Sequence, residues 1–363
     1  MTRFFVASGL ALVLIVSFAL PTWAGDPVET GLTYLAEQQQ PDGGFTNGFS
    51  EGSDLGTTCD VILAIAAAGE DPSTWKSPDG KSPLDYLAAQ VAADAVGSVG
   101  LKAKVVLALL AAGLDPADFV GHNLVGELEA AYDASTGSYG SSLFDQALVI
   151  LALSNAGRTV PDGAVQYLLD NRTERGGWSF TGDTTPESTD TNTTALAIQA
   201  LVATGREAEV ADALAYLHEV QNEDGGFPYQ KPSDYGTDTD ANSTAYVLQA
   251  LLAAGESLED WAPAGTDPLE ALQGLYDAES GAFLWQAAVP GPNVLATAQA
   301  IPALKGYTFV SLPQVEVAEP PEVPSAETLL PESGGTTPLP LAVGLVGLLM
   351  VAAGVALHRS ARR

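Results

Sequence analysis

Two loops of this chain carry the residue types that do chemistry. Residues 181–193 hold Asp183, Glu187, Asp190 and Asn192, and residues 232–243 hold Asp234, Asp238, Asp240 and Asn242, interleaved with Ser and Thr. Their oxygens are hard ligands, so calcium is a candidate occupant, although the ordered ligand spacing of a calcium-binding loop is missing. The same carboxylates, amides and hydroxyls suit a sugar, a peptide or another small molecule, or a partner protein, better than a phosphate. On this binding reading the contacts come from Asp190, Asn192, Asp234, Asp238, Asp240 and Asn242. Capping competes with it. Each loop runs into an apolar stretch through Thr194-Ala195 or Thr244-Ala245, and Asp54-Leu55-Gly56-Thr57-Thr58 repeats the pattern in a third place. Asp, Asn, Ser and Thr at such a start accept hydrogen bonds from the free N–H groups of a first helical turn.

The elements that hold these loops are helices in pairs. Apolar segments that end on Gly69, Gly113, Gly157, Gly205, Gly255 and, more loosely, Gly306 recur at steps of 44 to 51 residues. Each follows an amphipathic partner, from GLTYLAEQQQ to PLEALQGLY. In VADALAYLHEV, Val210, Ala213, Leu214, Leu217 and Val220 share one helical face, whereas the segment from Ala245 to Ala254 is apolar nearly all round. The first kind predicts an outer helix with a wet face, the second an inner helix surrounded by protein. Six such pairs can close into a ring or stack as an open solenoid, and the period alone fits both.

The turns between the pairs carry the distinction. Gln39, Gly43 and Phe45 share the spacing of Gln221, Gly225 and Phe227; Gly176 and Trp178 keep it with Arg172 in place of Gln. Weaker copies are Asp133, Gly137, Tyr139 and Asp277, Gly281, Phe283. The repeated QxxxGx-aromatic pattern resembles that of the squalene and oxidosqualene cyclases. The chain is therefore similar to the terpenoid cyclase and protein prenyltransferase superfamily over about residues 26–310. That resemblance implies an all-α, closed alpha-alpha toroid of six outer and six inner helices with almost no strand, in which the motif residues tie the outer layer together.

The resemblance also frames the chemistry. Squalene-type cyclases protonate their substrate with the middle Asp of a D-x-D-D run before Thr-Ala, and the resemblance would assign that role to Asp240 with Asp238 beside it. Anchored on Thr-Ala, however, the acid position falls on Asn242 or Asn192, and an amide is a poor proton donor. Prenyltransferases hold zinc with Asp, Cys and His; here His122 and His218 sit away from inner-helix starts and His358 lies in the tail. A catalytic zinc needs about three converging protein ligands, so none is expected. A thioester is not expected either, because Cys59 is followed by Asp60-Val61-Ile62. As the one cysteine, it excludes an intrachain disulfide and reads as a small buried thiol. These readings leave a non-catalytic binding module, with a squalene- or terpene-cyclase-like enzyme acting on a polyprenyl substrate as the alternative. Within the superfamily the binding precedent is the cobalamin carriers, which resemble this chain in their helix starts and close a second, β-rich domain over the ligand.

Composition and the two ends bear on location. With 45 Asp and Glu against 14 Lys and Arg, the net charge is −31, which excludes nucleic acid as a partner by phosphate repulsion and keeps the surface soluble. Residues 1–24 read as a signal peptide, with Arg3 before an apolar run and Ala24 at its end. The toroid is expected over 25–310, a Pro/Glu-rich stalk over 311–337, a membrane-spanning helix over 338–357 and a basic tail over 358–363. Leu330, Pro331, Glu332, Ser333 and Gly334 resemble the LPxTG signal that sortases cleave, with Ser333 in place of Thr. Both anchors imply a toroid displayed on the extracellular face.

Overall fold

The structure, a computed structural model, describes residues 25–48, 51–318 and 321. Twelve α-helices among them alternate between two layers. The outer helices are α1 (Pro27–Glu37), α3 (Pro83–Ala92), α5 (Leu124–Ala130), α7 (Asp162–Asp170), α9 (Ala211–Val220) and α11 (Pro268–Gln273). The inner ones are α2 (Leu55–Ala67), α4 (Val99–Ala111), α6 (Leu143–Asn155), α8 (Thr191–Ala203), α10 (Ala241–Ala254) and α12 (Val294–Leu304). Each inner helix packs on the next, and α12 packs on α2 and α1, so the ring is closed. The closing seam is tight: a Cβ on Gly31 would lie 3.2 Å from the Thr297 side chain, and the Thr30 hydroxyl meets the Tyr276 hydroxyl at 2.7 Å. Every residue of α2 is buried, as its lack of a polar face requires. All six glycines that end the inner helices have φ between 67° and 81°, the left-handed conformation that stops a helix.

The turn motif works by a common geometry. Gln39 Nε2 donates to the Gly43 carbonyl at 2.9 Å and to that of Lys81, just before α3, at 3.3 Å; Gln221 Nε2 reaches Gly225 and Trp261, both at 2.8 Å. Where the glutamine is missing another side chain does its work. Arg172 donates to the Glu209 carbonyl and pairs with Asp212 of α9, and Gln146, from an inner helix, reaches the carbonyls of Gly137 and Ala164. The motif glycine is needed because a Cβ on Gly225 would stand 2.2 Å from the Thr266 carbonyl oxygen. Phe45, Trp178, Phe227 and Phe283 are fully buried.

A Thr in the first turn of each of four inner helices has a structural partner. The hydroxyls of Thr58, Thr194, Thr244 and Thr297 accept from the backbone N–H of Phe45, Trp178, Phe227 and Phe283 at 2.9–3.0 Å. Each Thr thus fastens the turn to the first turn of its inner helix. Thr244→Ala is expected to cost about 1–3 kcal/mol, because it leaves a buried N–H without an acceptor. Urea unfolding of this variant measures it; an unchanged midpoint would show the bond to be dispensable.

Two features depart from the expected all-helical ring. In the sixth repeat the chain forms a small antiparallel sheet of β1 (Tyr276–Asp277), β2 (Ala282–Gln286) and β3 (Val289–Pro292), in that order. Pro290 and Pro292 lack the N–H groups a helix uses, and the hairpin stands as a wall beside the start of α10. Residues 307–318 then return across the face where the inner helices end. Val315 N–H donates to the Ala111 carbonyl at 3.1 Å and Ala318 N–H to Asp71 at 2.7 Å, so the chain beyond residue 311 begins as a strap on the ring.

Among the described residues no helix is long and apolar enough to cross a membrane. The signal segment 1–24, the Leu330–Gly334 motif, the span 338–357 and the tail 358–363 lie outside the described residues.

Candidate functional site

The two acidic loops lie side by side, as consecutive repeats of a ring require. Thr191 N–H donates to the Tyr229 carbonyl at 2.8 Å, its hydroxyl reaches the Pro228 carbonyl at 2.5 Å, and Gln230 Nε2 reaches that of Glu187 at 2.6 Å. Between the second loop and the β2–β3 hairpin a cleft opens on the face where inner helices start. Tyr229, Tyr235 and Trp285 form its walls; Asn192, Asp240 and Ser243 line it from below. Gln286 Nε2 approaches the Asp238 carbonyl at 3.4 Å, which joins hairpin to loop. Tyr235 is 56% exposed, the large apolar side chain most open to water among the described residues. The cleft encloses only about 50 Å³, so it can seat one edge of a ring with polar substituents and cannot enclose a large ligand.

The six residues expected to bind divide four ways. Asn192, Asp238 and Asp240 line the cleft, and Asn192 Oδ1 is buried without a hydrogen-bond partner. Asp190 lies nearby, capping α8: its Oδ1 accepts from Thr193 N–H at 2.7 Å, and Oδ2 has no partner. Asp240 caps α10 in the same way, accepting from Ser243 N–H at 2.7 Å and from its hydroxyl at 2.9 Å. Burial, only partly offset by these capping bonds, pushes both carboxyls up to about 7. Asp234 is exposed on the same loop without lining the cleft, and Asn242 turns inward. Asp190 and Asp240 thus both cap their helices, and Asp240 also lines the cleft. For calcium, Asp190 and Asp240 bend back onto their own helices, and no group of three His, Cys, Asp or Glu residues converges among the described residues.

Tyr229, Tyr235, Trp285 and Gln286 were missed by reading the acidic residues alone. The sequence signal for them was weak: aromatics scattered in loops, one in a hairpin that helical periodicity hides.

The ring centre is a different environment. Asn242 Nδ2 donates to Gln299 Oε1 at 2.8 Å, Gln299 Nε2 to Asp60 at 3.1 Å, and the Lys104 ammonium to the same Asp60 oxygen at 2.7 Å. Burial works against the charge on Lys104, and the Asp60 carboxylate more than compensates, holding the ammonium above its usual pKa. Phe309 from the strap fills the space beneath, its ring 6.0 Å from that of Tyr246 and within 19° of parallel. What remains is a cavity of about 20 Å³, room for a water molecule and far too small for a polyprenyl chain. Cys59 is buried in α2, as expected of the thiol, and burial raises its pKa.

A family model described as eukaryotic cobalamin-binding protein matches residues 81–337. Among solved structures, the apo type II terpene cyclase MstE from Scytonema aligns with a TM-score of 0.56 at 14% identity, over 77% of this chain and 96% of that one. A protein from Actinoplanes gives 0.54 at 16%, over 77% and 98%. Haptocorrin in complex with Cbi gives 0.49 at 15%, over 80% and 69%. At such identities the terpene cyclase likeness establishes the toroid fold alone. No curated protein sequence matches the chain.

Proposed function

This chain belongs to the eukaryotic cobalamin-binding protein family, and on that premise we propose that it is a non-catalytic module that captures a corrinoid in the cleft between the 228–240 loop and the β2–β3 hairpin. The observation that carries this reading is the contrast between the two ends of the ring. The interior where a cyclase would fold its substrate is filled by Phe309 and a hydrogen-bonded polar cluster, while the helix-start face presents a cleft with aromatic walls. Trp285 and Tyr235 supply apolar contact for a planar macrocycle. Asn192 Oδ1, buried and unpartnered, accepts from an amide on its rim, and Asp238 and Ser243 offer further polar contacts.

Titration of the purified protein with hydroxocobalamin, followed by tryptophan fluorescence and by the ligand's visible absorbance, is the direct test. Saturable binding is expected, weakened about tenfold or more in Trp285→Ala and Tyr235→Ala, a loss of about 1.4 kcal/mol. Absence of saturable binding, or binding indifferent to both changes, would count against the cleft. The cyclase alternative retains one supporting observation, the near-neutral Asp240 carboxyl. Incubation with squalene and shorter polyprenyl substrates is expected to give no cyclised product; product that disappears in Asp240→Asn would replace the binding reading with an enzyme.

The module is proposed to stand on the outer face of the cell, carried by the C-terminal span 338–357 or by wall attachment at Leu330–Gly334. Fractionation after muramidase treatment separates the two: release with wall fragments indicates sortase processing, retention in the membrane fraction the helix.

A further inference from the structure

We propose that residues 307–313 are a plug, an occupant of the ring centre held in cis, that can leave while the two helical layers stay folded. Phe309 is gripped as a ligand would be. Its carbonyl accepts from Asn155 Nδ2 at 2.7 Å, its N–H donates to Gln199 Oε1 at 2.8 Å, and its ring stacks on Tyr246, which in turn meets Phe144 edge-on at 6.3 Å. These contacts come from α6, α8 and α10, so the plug bridges helices that already pack on one another without it. The cavity above is lined by Asp60, Leu63, Gln249 and Gln299 on the ring side and by Tyr307, Thr308 and Phe309 on the strap side. Withdrawal of the strap would widen this mostly apolar pocket toward solvent. The grip on one ring and one peptide unit fits a competing occupant that offers both.

Beyond Phe309 the strap is held by apolar packing of Val310, Leu312, Val315 and Val317 on the core and by few backbone bonds. Val315 N–H to Ala111 and Ala318 N–H to Asp71 are its backbone bonds to the rest of the ring among the described residues after Phe309. Gly113 shows how close it lies: a Cβ there would stand 2.2 Å from the Val315 carbonyl oxygen, whereas one on Gly205, at the same φ of 71°, would meet nothing within 4 Å. Gly113→Ala and Gly205→Ala therefore impose the same backbone strain, and only the first displaces the strap.

The test uses two thiols in one chain. Leu63→Cys places a reporter in the cavity lining, and native Cys59, on the same helix but outside that lining, reports unfolding of the ring. Maleimide labelling of the full chain, with the two sites resolved by peptide mass, is compared among the Leu63→Cys background and its Phe309→Ala, Gly113→Ala and Gly205→Ala derivatives. A rise of tenfold or more at position 63 in the first two, with Cys59 unchanged and Gly205→Ala at background, is expected. In Phe309→Ala, millimolar N-acetylphenylalaninamide, which restores ring and peptide unit together, is expected to slow labelling at position 63 again. Labelling that rises equally at both thiols, that does not rise, or that is unaffected by the amide overturns the proposal. If Leu63→Cys fails to fold, Ala298→Cys, in the same lining, serves as the reporter.

Discussion

Lys104→Met is expected to destabilise the protein by about 3–5 kcal/mol, while the paired change Asp60→Leu with Lys104→Met restores most of that loss. The reason lies in burial: Asp60 is 3% exposed and Lys104 9%, so removing the ammonium strands a carboxylate where water cannot solvate it. Gln299 Nε2, the other donor to the same oxygen, is neutral and offsets little of that charge. Urea unfolding of the single and paired variants gives the numbers. A single variant that loses less than 1 kcal/mol would show that Asp60 gains a proton at small cost and that the pair contributes little. A paired variant as unstable as the single one would show that the charges, and not merely their mutual compensation, are required for the ring to close.

The second large effect concerns pH. Asp190 and Asp240 have carboxyls raised to about 7 in the folded chain, from an ordinary value of 3.8, because burial disfavours their charge. Between about pH 4 and 7 the native state then holds protons that the unfolded chain has released, so their contribution to stability is full below pH 4 and lost as pH rises through 7. The effect is opposite to that of a salt-bridged carboxylate such as Glu127, whose pKa is lowered by the hydrogen bond and charge of Lys102. Asp190→Asn with Asp240→Asn keeps a capping oxygen on both helices and cannot titrate. Relative to the wild type this variant should gain stability from pH 4 to pH 7, by roughly a few kcal/mol for the two sites together. Denaturant midpoints at three pH values decide it; parallel curves for the two proteins would mean that both carboxyls ionise normally in the fold.

The ring itself was legible because its determinants are local and repeat. A glycine after each apolar segment needs only its own φ, and apolar spacing needs only one helix. The motif Gln39, Gly43 and Phe45 was readable for the same reason, whereas the substitutes were not: Gln146 sits nine residues after the glycine it serves, and Arg172 has a shape unlike that of glutamine. Asp190 and Asp240 were readable as caps because a helix start is marked by its own few residues. Trp285 and Tyr235 escaped because the cleft is assembled across two repeats, and Phe309 because its partners, Asn155 and Gln199, are more than a hundred residues away in the chain. Nothing in their neighbouring sequence signals those contacts.

All six inner helices start on the cleft face and end on the strap face, and none of them carries a basic residue in its last turn. Their macrodipoles therefore add along the axis of the ring, each equivalent to about half a positive charge at the cleft and half a negative charge at the strap. With Asp190 and Asp240 largely protonated below pH 7, the starts of α8 and α10 keep their capping hydrogen bonds but have no negative charge from these caps beside the cleft. On the proposed binding reading, a ligand with an uneven charge distribution would meet a directional field in the cleft, one that favours its electron-rich edge against the helix starts.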